Sequence, residues 1–191
     1  MEAVEPERQL VHYAQDLARA YSASEQAQEE GIEALLYLLE LRYPESRGHG
    51  ARVAYWMARL NEALGQPLPA KAVRQVGRLH DVGLLASATP DVRAAASIGA
   101  AFLRRVGAFR AFAPWVEFHQ HPYRAELPLG ARVLAVADAF DFGVGLLGRH
   151  VAGARRQLAE QAGSRLDPEL VATFLDLPLE ELFETLLVEL A

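Results

Sequence analysis

The sequence predicts an all-α protein, because apolar residues recur at three- and four-residue spacing along most of the chain. Alanine and leucine dominate the 191 residues, of which 51% are hydrophobic, and both residue types favour helices. No segment shows the strict alternation of apolar and polar residues that is typical of a strand. We therefore expect about eight helices without an internal repeat, around a core that a chain of this length can bury.

A long N-terminal helix is predicted over residues 7–40. Its apolar stripe consists of Leu10, Tyr13 or Ala14, Leu17, Tyr21, Ile32, Leu35, Leu36 and Leu39. The stripe is interrupted by polar residues 22–30, and Gly31 is a position where the helix could break or bend. We interpret residues 1–40 as an amphipathic helix outside the main domain, which carries a signal to a partner or forms a homodimer. A helix that lies on its own domain is the alternative.

Residues 41–191 are expected to form one helical domain that ends in a C-terminal helix. A loop over 43–50 leads into it. Helical spacing and helix-start residues then predict this order of helices: one through Val53, Trp56, Met57 and Leu60 that stops at Gly65; one from about Pro69 to Leu79; one opened by Thr89-Pro90; one within 128–142; one opened by Asp167-Pro168; and one over about 178–190.

The composition excludes several classes of protein. The formal net charge is −6. Residues 1–40 carry two Arg and nine acidic residues, and residues 41–191 carry 17 basic and 16 acidic residues. Neither part has the clustered basic face that binding to a nucleic-acid polymer needs. No apolar run reaches the roughly 18 residues of a membrane span, and the acidic N-terminus is unlike a secretory signal. The absence of cysteine excludes a thiolate metal site and fits a cytoplasmic protein.

The most informative motif is the pair His80-Asp81, which follows a stretch with helical spacing. A buried polar group without a partner costs roughly 1–3 kcal/mol, so adjacent His and Asp residues are unfavourable in a core. Imidazole and carboxylate are, however, good ligands for a divalent metal. His49, where a glycine-bounded loop enters a helix, and Asp138, within an apolar helix, are further potential ligands. Taken alone, His49 could also cap its helix, and Asp138 could pair with an arginine.

These four residues together predict a divalent metal site of two imidazoles and two carboxylates: His49, His80, Asp81 and Asp138. Such a site leaves positions open for water and a phosphate oxygen. A bound cation lowers the pKa of water and neutralises charge on phosphorus, so the expected reaction is phosphoester hydrolysis by a metal-bound hydroxide. Iron, manganese, magnesium and zinc are not distinguished by this set of ligands.

The chain resembles the HD superfamily of metal-dependent phosphohydrolases and, within it, the HD-GYP branch that hydrolyses cyclic di-GMP. The resemblance covers about residues 40–176. It rests on the blocks Arg47–Val53, Leu79–Gly83, Ile98-Gly99, Leu127–Asp141 and Leu166–Val171. It implies an HD-type helical bundle in which His49, His80, Asp81 and Asp138 take the metal-ligand positions. If the protein is an active enzyme, Asp81 or a neighbouring histidine would relay the proton.

The chain also departs from the HD-GYP pattern at several positions. Leu84 stands where the branch has a phosphate-binding lysine, and Ala95 stands where it has a further histidine ligand. A paired His-His is represented by His119-Gln120, with His121 one residue beyond, so either histidine is a possible additional ligand. The Gly-Tyr-Pro loop is replaced by residues 122–128. Cyclic di-GMP hydrolysis at ordinary rates is therefore not expected.

The retained ligand positions and the departures from the HD-GYP pattern together leave two possible functions. The first is a single-metal phosphohydrolase that acts on another small phosphorylated ligand or nucleotide. In it, Arg52, Arg78 or Arg124 would replace the missing lysine, because the forked donors of arginine suit phosphate. The second is a catalytically impaired signalling or protein-interaction module. We expect Asp141 to be a supporting or surface residue, and we interpret the G-x-G-x-x-G match at 143–148 as a glycine-rich loop, since no strand precedes it.

Overall fold

The computed structural model describes residues 4–88, 91–146 and 150–189. This part of the chain contains nine α-helices and no β-strand, which confirms the all-α prediction. The helices are α1 (Val4–Arg42), α2 (His49–Ala63), α3 (Ala70–Leu79), α4 (Val92–Arg105), α5 (Ala113–Phe118), α6 (Leu129–Asp141), α7 (Val151–Gln161), α8 (Pro168–Leu175) and α9 (Leu179–Glu189). Within the described ranges, no helix has the length and apolar character that crossing a membrane requires.

Helix α1 is continuous through Gly31, so the break considered there is wrong. Residues 8–24 are almost entirely exposed, whereas Ile32 and Leu39 of the second half are buried in the core. Glu29 and Glu33 of that second half form ion pairs with Arg78 on α3. The C-terminal part of α1 is therefore packed on the helical domain, and the N-terminal part projects from it.

The core is centred on Trp56 of α2, which is completely buried. Its ring packs edge-on against Phe140 of α6 and Phe174 of α8, with centroids 4.9 Å and 6.1 Å away. Burial of three large aromatic side chains in one cluster stabilises a domain by several kcal/mol. This cluster fixes α2 against α6, the two helices that carry His49 and Asp138.

Two glycines allow the segment around His80 to lie close to its neighbours. A Cβ at Gly77 would lie 2.4 Å from the Cα of Ala54, so glycine is required where α3 crosses α2. A Cβ at Gly83 would lie 1.9 Å from the carbonyl oxygen of Ala95 in α4. These contacts hold His80-Asp81 between α2 and α4.

Helix α4 begins at Val92, and α6 is followed directly by a π-helical turn. The expected Thr89-Pro90 helix start lies outside the described residues, and α4 begins at Val92 with Asp91 as its N-cap; the Asp91 carboxylate accepts hydrogen bonds from Arg93 N and Ala94 N. The part of the glycine-rich segment that is described is not a loop. Residues Phe142–Leu146 continue α6 as one π-helical turn, because the backbone of Gly143 and Gly145 tolerates this packing against α7 and Arg52.

Candidate metal centre

The fold brings together five potential ligands that are scattered along the sequence. His49 is the first residue of α2, His80 directly follows α3 and Asp81 follows His80. His119 directly follows α5, and Asp138 lies in the last turn of α6. The three imidazoles and Asp138 are buried, whereas Asp81 is partly exposed.

The ligand atoms converge on a small volume. His49 Nε2 lies 3.3 Å from Asp138 Oδ1 and 3.7 Å from Asp81 Oδ2. His80 Nε2 lies 3.4 Å from Asp81 Oδ2 and 3.6 Å from Asp138 Oδ1, and His119 Nε2 lies 4.0 Å from Asp138 Oδ2. Two atoms that are each about 2.1 Å from one ion are separated by about 3.0–3.4 Å in octahedral or tetrahedral coordination. These spacings are therefore close to those of a metal site.

Each imidazole is oriented by a hydrogen bond at the ring nitrogen that faces away from the cluster. His49 Nδ1 is 2.8 Å from Asp141 Oδ2, His80 Nδ1 is 2.7 Å from the Gly77 carbonyl oxygen, and His119 Nδ1 is 2.6 Å from the Val116 carbonyl oxygen. An Nδ1–H that donates outward leaves the Nε2 lone pair facing inward, which is how metal-binding histidines are held.

Two of the inward nitrogens are buried without a hydrogen-bond partner. These are His80 Nε2 and His119 Nε2. Leaving a buried polar atom unpaired costs roughly 1–3 kcal/mol, so a pair of them facing one carboxylate needs an explanation. A divalent cation among these atoms would satisfy both. Groups of His49, His80 and Asp81, and of His80, His119 and Asp138, have the spacing to hold a metal ion.

The electrostatics of the cluster also favour a cation. Burial lowers the pKa of His49, but the carboxylates of Asp138 and Asp141 outweigh it and raise the pKa to about 9. Burial also lowers the pKa of His80, but the negative charges of Asp81 and Asp138 outweigh it and raise this pKa well above its usual value. Burial raises the pKa of Asp138, but His49 and His80 lower it more strongly, so this carboxylate remains ionised. Burial lowers the pKa of His119, which leaves a neutral imidazole suited to metal binding.

Asp141 lies directly behind His49. It is completely buried, and besides His49 it accepts hydrogen bonds from Arg52 Nε at 2.9 Å and Trp56 Nε1 at 3.3 Å. The surface position considered from the sequence is therefore wrong, and the supporting role is the one observed. The i, i+3 spacing from Asp138 was the sequence signal, because residues three apart lie on one side of a helix.

Behind Asp138 there is a second polar connection, which the sequence did not reveal. Gln120 Nε2 donates to Asp138 Oδ2 at 2.9 Å, and Arg165 Nη2 donates to Gln120 Oε1 at 2.7 Å. Gln120 is buried. Arg165 comes from the turn between α7 and α8, 45 residues away in sequence, so no local pattern could indicate this contact.

The other predicted site residues lie outside the two ligand groups. His121 is half-buried, with its ring edge-on to Phe118 at 5.3 Å. The guanidinium of Arg52 is paired with Asp141, and that of Arg78 with Glu29 and Glu33 of α1. Arg124 is exposed. A phosphate-binding role for these three arginines stays a prediction, and in the structure the charges of the first two are compensated by carboxylates.

The positions that depart from the HD-GYP pattern form an apolar cluster. Leu84 and Ala95 are buried together with Leu39 of α1, and Tyr43 and Leu85 pack against them. The C-terminal end of α1 is held next to this cluster, since the Arg42 guanidinium donates hydrogen bonds to the carbonyl oxygens of Leu85 and Ser87. Helix α1 thus packs onto the segment that follows His80-Asp81 and onto the first turn of α4.

Comparison with known protein families agrees with this geometry. The family model of the HD domain matches residues 47–143, just over half of the chain, and this range includes all five converging side chains. A search of curated proteins found no match. The match confirms the resemblance to the HD superfamily, while the finer likeness to the HD-GYP branch stays a prediction. The chain belongs to the HD domain family.

Proposed function

We propose that the protein hydrolyses a phosphoester at a metal ion held by His49, His80, Asp81 and Asp138, with His119 as a fifth ligand. The observation that carries the proposal is the pair of buried, unpartnered Nε2 atoms of His80 and His119, which face the carboxylate of Asp138. The membership of the HD family supports the same reaction class. A bound divalent cation would act as a Lewis acid toward water and the phosphoryl oxygen.

The set of donor atoms favours a transition metal. Three imidazoles and two carboxylates suit manganese, iron or zinc, whereas magnesium prefers oxygen ligands and retains several water molecules. We therefore infer that magnesium, which the sequence left open, is the weakest candidate of the four.

Asp81 is the residue that we assign to proton transfer. Its side chain is 19% exposed, against 12% or less for the other ligands, so it is the ligand most accessible to substrate and water. Burial raises its pKa, but the charge of His80 more than offsets this and keeps the carboxylate ionised. An ionised carboxylate at the edge of the cluster can accept the proton that the attacking water loses.

The test combines metal content with turnover. We expect near-stoichiometric metal in the purified protein by elemental analysis, and hydrolysis of bis(p-nitrophenyl) phosphate with added Mn²⁺. In Asp81→Ala, turnover should fall by at least about 100-fold, since general acid–base catalysis alone contributes that much. Asp176→Ala, at an exposed helix end, is the matched control and should keep wild-type turnover.

The same measurements separate the proposed enzyme from the second candidate, an impaired signalling module. That candidate is favoured by the apolar cluster of Leu39, Leu84 and Ala95, which fills the positions of the lysine and the additional histidine. Stoichiometric metal without turnover of a panel of nucleotides would favour the module. Absence of metal under every loading condition would contradict both the metal site and the hydrolase.

We also propose that the projecting half of α1 forms a homodimer. Leu10, Tyr13, Leu17 and Tyr21 lie along it at helical spacing and are 62–72% exposed. An exposed apolar stripe of this kind is typical of a helix that packs against another helix.

Deletion of residues 1–22 should convert a dimer to a monomer in light scattering. This truncation leaves the second half of α1 intact, including the Glu25–Lys71 ion pair and the buried Ile32. Leu17→Glu should have the same effect without shortening the chain, and Ser22→Glu serves as the control for added charge. An unchanged mass in both the truncation and Leu17→Glu would refute the dimer.

A further inference from the structure

A cavity of about 310 Å³, which is open to solvent, lies on the far side of Gln120 from Asp138. Of the residues that line it, only Gln120 is buried. It is lined by Val92, Arg93, Gln120, Pro122, Ser164 and Arg165. Arg93 comes from the first turn of α4, and Arg165 from the turn between α7 and α8. None of the four ligands predicted from the sequence lines this cavity.

The charged residues that line the cavity are both arginines. Within the described ranges, no acidic residue lines it and neither Arg93 nor Arg165 forms an ion pair with a carboxylate. Among the described residues, the Arg165 guanidinium donates a hydrogen bond only to the neutral amide oxygen of Gln120. The Asp91 carboxylate is directed to the backbone N–H groups at the start of α4. Two guanidinium groups with free donors are well suited to an oxyanion.

The turn that presents Arg165 is held in place by its backbone. Gly163 has a φ of +77°, which favours glycine, and its N–H donates to the Leu166 carbonyl oxygen at 2.9 Å. The N–H groups of Arg165 and Leu166 both donate to the Gln161 carbonyl oxygen at 3.0 Å. The N–H of Tyr123 donates to the Ser164 carbonyl oxygen at 3.1 Å, which ties the turn to the segment after Gln120. A fixed turn lowers the entropy that ligand binding costs.

We propose that this cavity is an oxyanion subsite that binds a phosphate group through Arg93 and Arg165. One buried side chain, Gln120, separates the subsite from the metal ligand Asp138, because its amide contacts Arg165 on one side and Asp138 on the other. The phosphate is either a second phosphate of the substrate or a free phosphate ion. Only the first of these sources rests on the proposed hydrolytic function.

The primary test is binding of inorganic pyrophosphate by calorimetry, in EDTA so that no metal takes part. We expect the wild type to bind pyrophosphate and Arg165→Gln and Arg93→Gln to bind about tenfold more weakly each, equivalent to about 1.4 kcal/mol. Arg165→Lys, which keeps the charge, should lose less affinity than Arg165→Gln. Affinity should also fall as the NaCl concentration rises.

The matched control is Arg105→Gln. Arg105 is an exposed arginine on the same helix as Arg93, about 18 Å further along the axis at 1.5 Å per residue. It should bind pyrophosphate like the wild type, and all variants should keep the thermal unfolding midpoint within a few degrees. Equal affinity of the wild type, Arg93→Gln and Arg165→Gln would refute the subsite, as would the absence of binding to the wild type.

A second experiment, which measures hydrolysis by the metal-loaded protein, distinguishes the two sources of phosphate. A dinucleotide that carries a 5′-phosphate is compared with the same dinucleotide without it. A lower KM for the phosphorylated compound, lost in Arg165→Gln, assigns the subsite to the substrate. Equal KM values together with pyrophosphate binding assign it to a free phosphate ion. If neither dinucleotide is hydrolysed, the proposed function fails for them, while the calorimetric result still decides the subsite.

Discussion

Saturating Mn²⁺ is expected to raise the free energy of unfolding by about 4 kcal/mol when the free ion is at about 1,000 times its Kd. For a chain of this length the corresponding rise in Tm is on the order of 10 °C. The physical reason is that the ligands lie on four separate helical segments, between His49 and Asp138, and converge only in the folded protein. The ion therefore binds the folded state and stabilises it by mass action. Calorimetric melting with Mn²⁺ and with EDTA measures the effect.

The control for this experiment is a pair of matched histidine substitutions. His80→Gln removes a buried ligand, and His12→Gln changes an exposed histidine on the projecting part of α1. We expect the Mn²⁺-dependent rise in Tm to disappear in the first variant and to persist in the second. A rise of equal size in His80→Gln would show that the ion binds elsewhere. No rise in the wild type would contradict the metal centre itself.

Substitution of Asp141 by Ala is expected to destabilise the protein by about 3 kcal/mol and to weaken metal binding by about 10–100-fold. The carboxylate is completely buried and accepts hydrogen bonds from Arg52 and Trp56, so its loss leaves a guanidinium and an indole N–H without their acceptor. It also removes the acceptor that orients His49 Nδ1. Urea unfolding measures the first effect, and titration with Mn²⁺ measures the second.

Asp176→Asn serves as the control for Asp141, since an exposed aspartate at a helix end should change stability by no more than about 0.5 kcal/mol. Asp141→Asn gives a graded test, because it keeps one acceptor oxygen but loses the charge opposite Arg52. We expect it to lie between the wild type and Asp141→Ala in both stability and metal affinity. Wild-type metal affinity in Asp141→Ala would contradict the orienting role.

Three of the four ligand candidates could be found from the sequence because they are chemically out of place, and His49 was added because it accompanies them. His80-Asp81 follows an apolar helix, and Asp138 lies within one, where an unpaired charge is costly. The structure brings these residues and His49 within a few ångströms of one another. The choice between His119 and His121 was open, because the direction of a side chain after a helix end depends on how the backbone turns. The structure brings His119 into the cluster and leaves His121 against Phe118.

The surroundings of Leu84 and Ala95 could not be predicted from the sequence. A buried leucine close to the polar site residues has no local explanation. The structure supplies the explanation from a distant part of the chain, because Leu39 of α1 is buried in one cluster with Leu84 and Ala95. The second half of α1 therefore lies on the domain, which is the alternative considered from the sequence, and it contributes to the surroundings of the centre.

The sequence by itself determined the helical fold class and the order of most helices, and it pointed to the side chains that could hold a metal ion. The fold class follows from the local spacing of apolar residues. The candidate ligands follow from polar residue types that are unfavourable in a buried segment unless a partner compensates them. Only the tertiary structure decided which charges are compensated: Arg52 by Asp141, Arg78 by α1, and Arg165 by no carboxylate among the described residues. Such pairings join segments that are far apart in sequence, and they depend on how the helices pack, which local spacing does not encode.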